Sequence, residues 1–572
     1  MLPQKIAFLP GIILFILISW AFAGEEETPF SRVQEAAKAA RAAVEAAQSA
    51  QNAVQQAVQA ARDAAAQAEE IYYQAFRERM DHLRKERLAA LPPPPAPPEG
   101  LGEANNPIDH FITAKWPEGE TPRLSDDAVF VRRVYLDAIG VIPCATEVEA
   151  FLSDPAPEKR AKLIDSLLAR NEEYAIHWTQ FWEDALCSNG NHQGGVGTRA
   201  NFKPFIIDSF RENKPYDVFV AQLLDPAAAK YRGGYVKSET HLESVQTAAN
   251  VGQVFLGARM KCASCHDHFL NLEWPQKRFL GFASYFAPQD LQLIRCEVKH
   301  DEFLAPTFIY DNGNSGGKKL DTLEARLSEV TRLIIDPANP QFATSFVNRL
   351  WKRYMGLGIV EPVDDFRMDN PPSHPELLHW LAYEFVSHGY DIKHMVRLIL
   401  NSRTYQLRFD PRLADRFEVG IDHPRYFRSP AHRRLTCEQF LDSLSVALGV
   451  SGRRMSYDDL STGLTRSLGR PETRNEVMTV RSEESAVIQA LEFINGEHLN
   501  QILEEADLPV QLAQFPSRKE AVDTAFLAVL NRKPTAAEQT LSLAFLEEGA
   551  GRDDWKDLLW GLAVSPEFQF IR

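Results

Sequence analysis

Apolar residues recur at alternating intervals of three and four along residues 31–91, a segment rich in Ala and Gln that contains no Gly or Pro. Counting in sevens from Val33 to Ala75 meets only Val and Ala, and the positions three residues beyond the first six of these hold Ala or Ile71. This repeat predicts a helix of roughly 90 Å with a seam of small residues. The helix either pairs with a second copy as a coiled coil through residues 33–78 or stands alone as a spacer, and the pattern fits both.

Six prolines within residues 92–98 predict that this helix ends abruptly and continues as a stiff linker over residues 92–104. Beyond the linker the apolar spacing is mostly helical. The predicted helical stretches are 126–139, 146–152, 159–168, 174–186, 323–335, 342–355, 375–388, 392–401, 434–450 and 516–572.

The body is therefore predicted to be mainly α, with little β structure and two helical lobes that meet near residues 300–320. We place a first domain at residues 105–320 and a companion domain at residues 321–572. The polar, Gly-containing residues 188–197 predict a loop, and residues 297–320 are predicted to hold a short hairpin.

Composition narrows the class of protein. The 572 residues are 45% hydrophobic, which is enough to form a core, and 62 Lys and Arg face 78 Asp and Glu for a formal net charge of −16. Because proteins gain affinity for nucleic acids largely by neutralising phosphates, this acidic chain is not predicted to bind them.

The N-terminus has the pattern of an export signal. Lys5 precedes a nearly uniform apolar run over residues 6–22, and Ala21 and Ala23 are the small residues that a signal peptidase requires. We predict a signal peptide at residues 1–23 and a body that is periplasmic or in the cell envelope. The alternative is an uncleaved segment that anchors the chain in the membrane.

One short motif carries specific chemistry. Cys262, Cys265 and His266 have the spacing of a c-type haem attachment site, in which two thiols bond the haem vinyl groups and the imidazole is the proximal ligand of the iron. The predicted compartment favours this interpretation, because c-type haem is attached outside the cytoplasmic membrane. We therefore expect one covalent haem c at this motif.

Three alternatives remain open for the motif. Cys262 and Cys265 have the spacing of a disulfide or redox pair. The same two thiols with His266 and His268 offer a zinc-like ligand set, with Asp267 as an outer partner. The spacing also arises by chance in a structural loop.

The sixth iron ligand and the other thiols are less defined by the sequence. The candidates for a sixth ligand are His192, His241, His300 and Met355. The scattered thiols are predicted to be buried or to include one disulfide, and they are Cys144, Cys187, Cys296 and Cys437.

The chain resembles a planctomycete-specific family in the residues of many short motifs and in their order along the chain. Residues 106–112, 132–137 and 255–268 resemble the second planctomycete-specific cytochrome-like domain, whose signature is the Cys-x-x-Cys-His-Asp-His run. Five further segments resemble the companion domain that usually follows it: residues 336–340, 347–351, 364–366, 371–378 and 401–406. The resemblance covers the chain from about residue 105 onwards and implies two domains whose biochemical role is unassigned.

Other candidate residues are predicted to be structural. Asp364 and Asp365 are adjacent and point to opposite sides of an extended segment, which suits a turn better than an acid–base pair. Ser373 is predicted to cap a helix that starts at Pro375, with His374 between them. The aromatic residues Trp178, Phe181, Trp182, Trp351, Trp380 and Tyr405 are predicted to lie in the core.

These observations favour an electron-transfer or redox protein over a hydrolase. The sequence contains no Gly-rich phosphate loop, nucleophile elbow or His-Glu-x-x-His motif. The expected partner is a redox protein or an envelope component. The alternative is a non-haem envelope protein that binds glycan or protein partners and uses the Cys-His cluster for zinc or a disulfide.

Overall fold

A computed structural model describes residues 29–90, 92–99, 102–119, 121–186, 199–228, 235–236, 240–268, 273–310, 319–418, 423–450, 462–471, 477–478, 481 and 487–572. The described residues are mainly α-helical, as predicted, with two short antiparallel β pairs. The chain divides into two compact units, Met1–Arg79 and Met80–Arg572. The predicted signal peptide and the predicted loop at 188–197 lie outside the described residues.

The helices follow one another in the order α1 (Pro29–Ala90), α2 (Pro107–Thr113), α3 (Asp127–Ile139), α4 (Ala145–Ser153), α5 (Lys159–Leu168), α6 (Asn171–Ala185), α7 (Arg199–Arg211), α8 (Tyr216–Leu224), α9 (His241–Leu256), α10 (Gln276–Ala283), α11 (Leu323–Ile335), α12 (Pro340–Met355), α13 (Pro375–Ser387), α14 (Ile392–Asn401), α15 (Cys437–Leu448), α16 (Gly463–Ser467), α17 (Val487–Asn495), α18 (Glu497–Glu504), α19 (Leu508–Ala513), α20 (Arg518–Leu530), α21 (Ala536–Phe545), α22 (Arg552–Ala563) and α23 (Pro566–Gln569). Two 3₁₀ turns span Lys261–Ser264 and Ser284–Phe286. The strands are β1 (Leu291–Arg295), β2 (Val298–Leu304), β3 (Arg433–Arg434) and β4 (Phe570–Ile571).

The predicted Ala-rich helix is confirmed as α1, which is 62 residues long and ends just before the prolines. Its larger apolar residues are exposed, including Val54 at 63% and Ile71 at 64%. Ala knobs bury little surface, so the helix keeps these side chains in solvent unless a second helix covers them. Pairing through residues 33–78 stays a prediction.

The helices of the body begin and end at the residues that their sequences favour. Asp126 precedes α3, and Gly140 ends it in the left-handed conformation with φ 77°. Thr240 caps α9 by accepting a hydrogen bond from the Glu243 N–H, and the Glu243 carboxylate bonds back to the Thr240 N–H. The predicted core aromatics are confirmed as buried, apart from a partly buried Phe181.

The hairpin lies earlier in the chain than predicted. Strand β1 pairs with β2, and the pair begins at Leu291 instead of residue 297. The turn is Cys296–Glu297, and both residues have positive φ angles, 45° and 69°. This is the backbone form of the tight turns that join two antiparallel strands, although neither residue is the Asn or Gly that usually adopts it.

The two predicted lobes pack together within the unit Met80–Arg572. The Asp109 carboxylate on α2 accepts hydrogen bonds from the backbone N–H groups of Arg403 and Thr404. Arg132 on α3 donates to the carbonyl oxygens of Val529 and Phe568. Residues on both sides of position 320 therefore contribute to the same interior, and the boundary at 320 stays a sequence prediction.

None of the helices in the described part of the chain is both long and apolar enough to cross a membrane.

Candidate functional site

The Cys-x-x-Cys-His motif follows the C-terminal end of α9. Gly257 ends this helix with φ 62°, and Met260 then packs back against Gly252, where an added Cβ would lie 2.3 Å from the methionine methyl carbon. The helix therefore ends four residues before Met260. Because α9 ends at Leu256, the chain changes direction there, and Lys261–Ser264 forms a separate 3₁₀ turn.

This 3₁₀ turn, which contains Cys262 and is followed directly by Cys265, presents the two motif thiols to solvent. Cys262 and Cys265 are both exposed and both free, whereas Ala263 between them is buried. The structure thus has no disulfide between them. Burial of Ala263 anchors the turn and leaves the cysteine side chains outside the core.

His266 follows on the surface with a defined orientation. Its Nδ1 lies 2.7 Å from the backbone carbonyl oxygen of Asp267. A carbonyl oxygen can only accept, so Nδ1 carries a proton, and in the neutral imidazole the lone pair is then on Nε2. This tautomer is the one that a metal-binding imidazole uses when it ligates through Nε2.

Asp267 and Gln276 hold the motif loop in place. Asp267 Oδ1 accepts a hydrogen bond of 2.8 Å from the Gln276 N–H at the start of α10, and Arg295 lies 3.4 Å from both carboxylate oxygens. The fully buried Gln276 amide donates to the carbonyl oxygens of Ser264 and Ile294, at 3.2 and 2.7 Å. Asp267 therefore braces the loop against α10 and β1.

The zinc-like ligand set is not assembled in the structure. Although all four residues are described, no three of the donor atoms of Cys262, Cys265, His266 and His268 lie within 4.8 Å of one another. A tetrahedral zinc site needs four donors at about 2.0–2.3 Å from one ion. His268 is half-buried, and burial lowers its pKa, helped by the positive charge of Arg367.

Cys296 joins the motif from the hairpin turn, and sequence reasoning missed this. It was predicted to be buried or disulfide-bonded, but it is an exposed free thiol. Its backbone N–H donates to the carbonyl oxygen of Cys265 at 3.4 Å. The register of the β1–β2 hairpin places Cys296 beside Cys265, and no local pattern in the sequence predicts that register.

The other thiols differ from Cys296. Cys437 is buried as predicted, and burial raises the pKa of its thiol well above the usual value. Cys144 is partly exposed and its sulfur lies 3.1 Å from Thr146 Oγ1, so its predicted burial is wrong. Cys187 lies outside the described residues.

A segment of the companion domain packs beside the motif. The Phe366 N–H donates to the carbonyl oxygen of Gly257, and the buried Asp364 carboxylate accepts from Gln253 and Arg259, at 2.8 Å each. Asp364 is thus committed to an ion pair with Arg259. This pairing supports its structural role over acid–base chemistry.

His374 is a core residue, and the predicted cap is off by one position. The N-cap of α13 is His374 itself, while Ser373 donates its hydroxyl to the Ile359 carbonyl oxygen and Pro375 occupies the first turn. His374 is 1% exposed, and burial lowers its pKa to about 3. A histidine sealed from solvent in this way cannot serve as a base for a substrate.

The structure also distinguishes among the four candidates for a sixth iron ligand. Met355 is buried at the end of α12 and packs as a core residue. His241 begins α9 and His300 lies in β2, so both stay candidates. His192 lies outside the described residues.

Glu384, His388 and His394 form a cluster that sequence reasoning missed. Their potential ligand atoms lie within 4.8 Å of one another, and Glu384 Oε1 lies 3.2 Å from His388 Nδ1 and 3.1 Å from His394 Nε2. The hydrogen bond from His394 lowers the pKa of Glu384. The four-residue spacing of Glu384 on α13 and His388, the C-cap of that helix, was a visible signal, but His394 comes close only through the turn into α14. Two imidazoles and a carboxylate could hold a transition metal.

Comparison with known proteins places this mainly α protein, with its Cys-x-x-Cys-His turn, in a family. Residues 107–290 match a family model described as a protein of unknown function (DUF1549), and residues 326–465 match a second described as a protein of unknown function (DUF1553). The chain belongs to the planctomycete-specific two-domain family in which a cytochrome-like domain precedes its companion, as its motifs predicted. No curated protein and no solved structure matches it.

Proposed function

We propose that this is an exported protein that carries one c-type haem and transfers electrons in the cell envelope. Cys262 and Cys265 would form the two thioether bonds, and His266 would be the proximal ligand. The observation that carries the proposal is the pair of exposed free thiols in and directly after one 3₁₀ turn, followed by a histidine whose Nδ1 is hydrogen-bonded to a backbone carbonyl oxygen. A haem bound there would supply one-electron redox chemistry.

The chain's own residues support each part of the attachment. Both thiols are accessible, so each can add across a vinyl group, forming a carbon–sulfur bond while its proton goes to the neighbouring vinyl carbon. The Asp267 carbonyl oxygen fixes the tautomer and orientation of His266. Gln276 and Arg295 hold the loop that carries all three residues.

Export and partners are proposed from the sequence. The N-terminal signal pattern would bring the motif to the compartment where c-type haem is attached. A redox protein or an envelope component is the proposed partner. The exposed apolar seam of α1 supports self-association through residues 33–78 as a further proposal.

A second function is favoured by one observation, the exposed Cys296 beside Cys265. Three neighbouring thiols and His266 offer the ligand types of a structural zinc site once the side chains rotate together. In that case the protein would be a non-haem envelope protein that binds glycan or protein partners. The thiol set would then stabilise the fold and carry no electrons.

The deciding experiment is expression of the full chain, with its signal, in a host that matures c-type cytochromes. We expect a Soret band, a pyridine haemochrome of the c type and an intact mass increased by one haem. Cys262→Ser and Cys265→Ser should each disrupt the covalent linkage, whereas the matched control Cys296→Ser should retain it. A colourless protein of unmodified mass that contains zinc would reject the haem and support a structural zinc site in its place.

A further inference from the structure

A cavity of about 180 Å³ lies in the interior of the unit Met80–Arg572, apart from the motif residues. Helix α6 contributes His177, Gln180 and Asp184 to its wall, and α12 contributes Arg349 and Arg353. Asp137 of α3 and the segment after α12, at Gly356 and Val363, add to the wall, and most of the rest comes from the C-terminal third of the chain. The cavity thus lies where both family domains and the C-terminal helices meet.

The cavity lining carries an excess of positive charge. Its basic residues are Arg349, Lys352, Arg353, Arg433, Arg434 and Arg481, against the acidic residues Asp137 and Asp184. Part of this charge is neutralised at once. Asp137 pairs with Arg433, and Asp184 and the buried Glu438 both pair with Arg481, while Lys352 pairs with Glu361.

Arg349 and Arg353 are positively charged, and neither guanidinium forms an ion pair with a carboxylate of the described residues. Among the residues that the structure describes, no Asp or Glu lies within ion-pair distance of either guanidinium. Arg349 donates to the Val254 and Gln253 carbonyl oxygens, at 2.8 and 3.3 Å. Arg353 donates to His177 Nε2 at 2.6 Å and stacks over Trp178 at 4.4 Å. Burial lowers the pKa of both guanidinium groups.

The same wall also contains polar hydrogens without an acceptor. The Nε atoms of Arg349 and Arg353 and the Nη2 atom of Arg481 are buried and make no hydrogen bond to the described residues. A buried donor without an acceptor costs about 1–3 kcal/mol, and an unpaired buried charge costs more. A ligand that supplies both negative charge and acceptor oxygens would remove both penalties.

We propose that this cavity binds an oxyanion, such as a carboxylate, sulfate or phosphate group, between Arg349 and Arg353, with Nη2 of the already paired Arg481 as a further donor. Guanidinium groups match the planar acceptor geometry of these anions. The cavity is smaller than the roughly 300–1,000 Å³ typical of sites for drug-sized ligands, so it suits a small anion or the anionic end of a larger molecule. This site is independent of haem attachment.

The test uses the purified full-length exported protein and three probes: sodium phosphate, sodium sulfate and sodium acetate. Binding is measured by calorimetry and by the midpoint of thermal unfolding, at ionic strength matched with sodium chloride. We expect saturable binding and a rise of the midpoint with at least one probe. The anion that binds most tightly identifies the chemical class of the ligand.

Two variants locate the binding. Arg353→Met removes the charge and keeps the bulk of the side chain, and it should weaken binding by roughly ten- to a hundredfold. Met478 lines the cavity, so Met478→Trp fills it while keeping every charge. This variant should abolish anion binding. Arg412→Met, an exposed arginine with a 74% exposed side chain, is the control and should bind as the wild type does.

The results separate clearly. The proposal fails if none of the three anions binds the wild-type protein. It also fails if an anion binds the cavity variants as tightly as it binds the Arg412→Met control. If Arg353→Met does not fold, Met478→Trp decides between the outcomes. A colourless protein that still binds an anion would support this site while rejecting the haem, so failure of one proposal leaves the other standing.

Discussion

The backbone N–H of Cys296 donates a hydrogen bond to the carbonyl oxygen of Cys265, with an N···O distance of 3.4 Å. This bond ties the turn of the β1–β2 hairpin to the motif and brings a third exposed thiol beside the first two. The turn itself requires positive φ angles at Cys296 and Glu297, which neither residue favours. Such conformations persist when the surrounding structure holds them, and they concentrate at functional sites.

The first prediction concerns the reactivity of these thiols. In the haem-free native protein, iodoacetamide should alkylate Cys262, Cys265 and Cys296, because all three are exposed. The buried Cys437 should resist until the protein unfolds, since burial raises the pKa of its thiol. Peptide mass mapping of these four cysteines provides the measurement.

Loading with haem changes the expected pattern. Cys262 and Cys265 should become unreactive, while Cys296 should still be alkylated. Protection of Cys296 together with the other two, in a colourless protein, would point to a shared metal ion instead. Equal labelling of Cys437 in the native state would contradict the buried position of that residue.

The second prediction tests the brace of the motif loop. Gln276→Leu removes the donor to the Ser264 and Ile294 carbonyl oxygens inside the core. The free energy of unfolding should fall by about 1–3 kcal/mol, because two partly buried carbonyl oxygens lose the donor that the fully buried Gln276 supplies. Denaturant unfolding gives the stability, and hydrogen exchange should quicken in residues 261–268.

Its control is Gln292→Leu on β1, whose amide donates to the His300 carbonyl oxygen at the surface of the hairpin. We expect this change to cost less than about 0.5 kcal/mol. If the two variants were equally stable, Gln276 would not brace the loop.

The third prediction compares two glycines in helices. Gly252→Ala would place a methyl group 2.3 Å from the terminal methyl carbon of the buried Met260. This overpacking should destabilise the protein by about 1–3 kcal/mol. Gly561→Ala in α22 meets nothing within 4 Å and should instead stabilise it by about 0.5–1 kcal/mol, through the better helix propensity of Ala. Thermal unfolding of both variants checks the difference in sign.

The fourth prediction is a pH dependence that arises from His374. In the folded protein its pKa is lowered to about 3, so it stays neutral, while the unfolded chain takes up a proton below about pH 6.5. Acid therefore favours unfolding, and this one residue should remove roughly 1.5 kcal/mol of stability between pH 6.5 and pH 5. Denaturant unfolding at both pH values measures the loss.

Two variants isolate this contribution. His374→Leu cannot take up the proton, so its stability should fall less over the same pH interval. His379→Gln, which changes an exposed histidine on the same helix, should keep the wild-type pH dependence. An unchanged slope in His374→Leu would show that His374 is not buried as a neutral residue.

Local signals in the sequence were enough to predict most of the helices. Gly140 ends α3, and the prolines after Ala90 end α1, because the backbone preferences of Gly and Pro act within a few residues. The motif cysteines were likewise visible from their spacing. The cap at Ser373 was misplaced because His374 took that position, with its ring buried against Phe427.

The features that escaped prediction depend on contacts between distant segments. Cys296 reaches Cys265 through the register of a hairpin, and His394 reaches His388 through the turn between two helices. Arg353 looks in the sequence like any surface arginine of a helix. Only the packing of α12 against α6 shows that its guanidinium lies against Trp178 and His177.

The carboxylate of Asp109 has a consequence for how this chain can be divided. It is fully buried and bonds to N–H groups at Arg403 and Thr404 as well as at Asn105. In a fragment that stops at residue 320, this carboxylate would lose three of its five hydrogen bonds, those from the Arg403 N–H, the Thr404 N–H and the Thr404 hydroxyl. A buried charge of the first family domain is therefore satisfied by donors of the second, and we expect the two domains to be more stable together than apart.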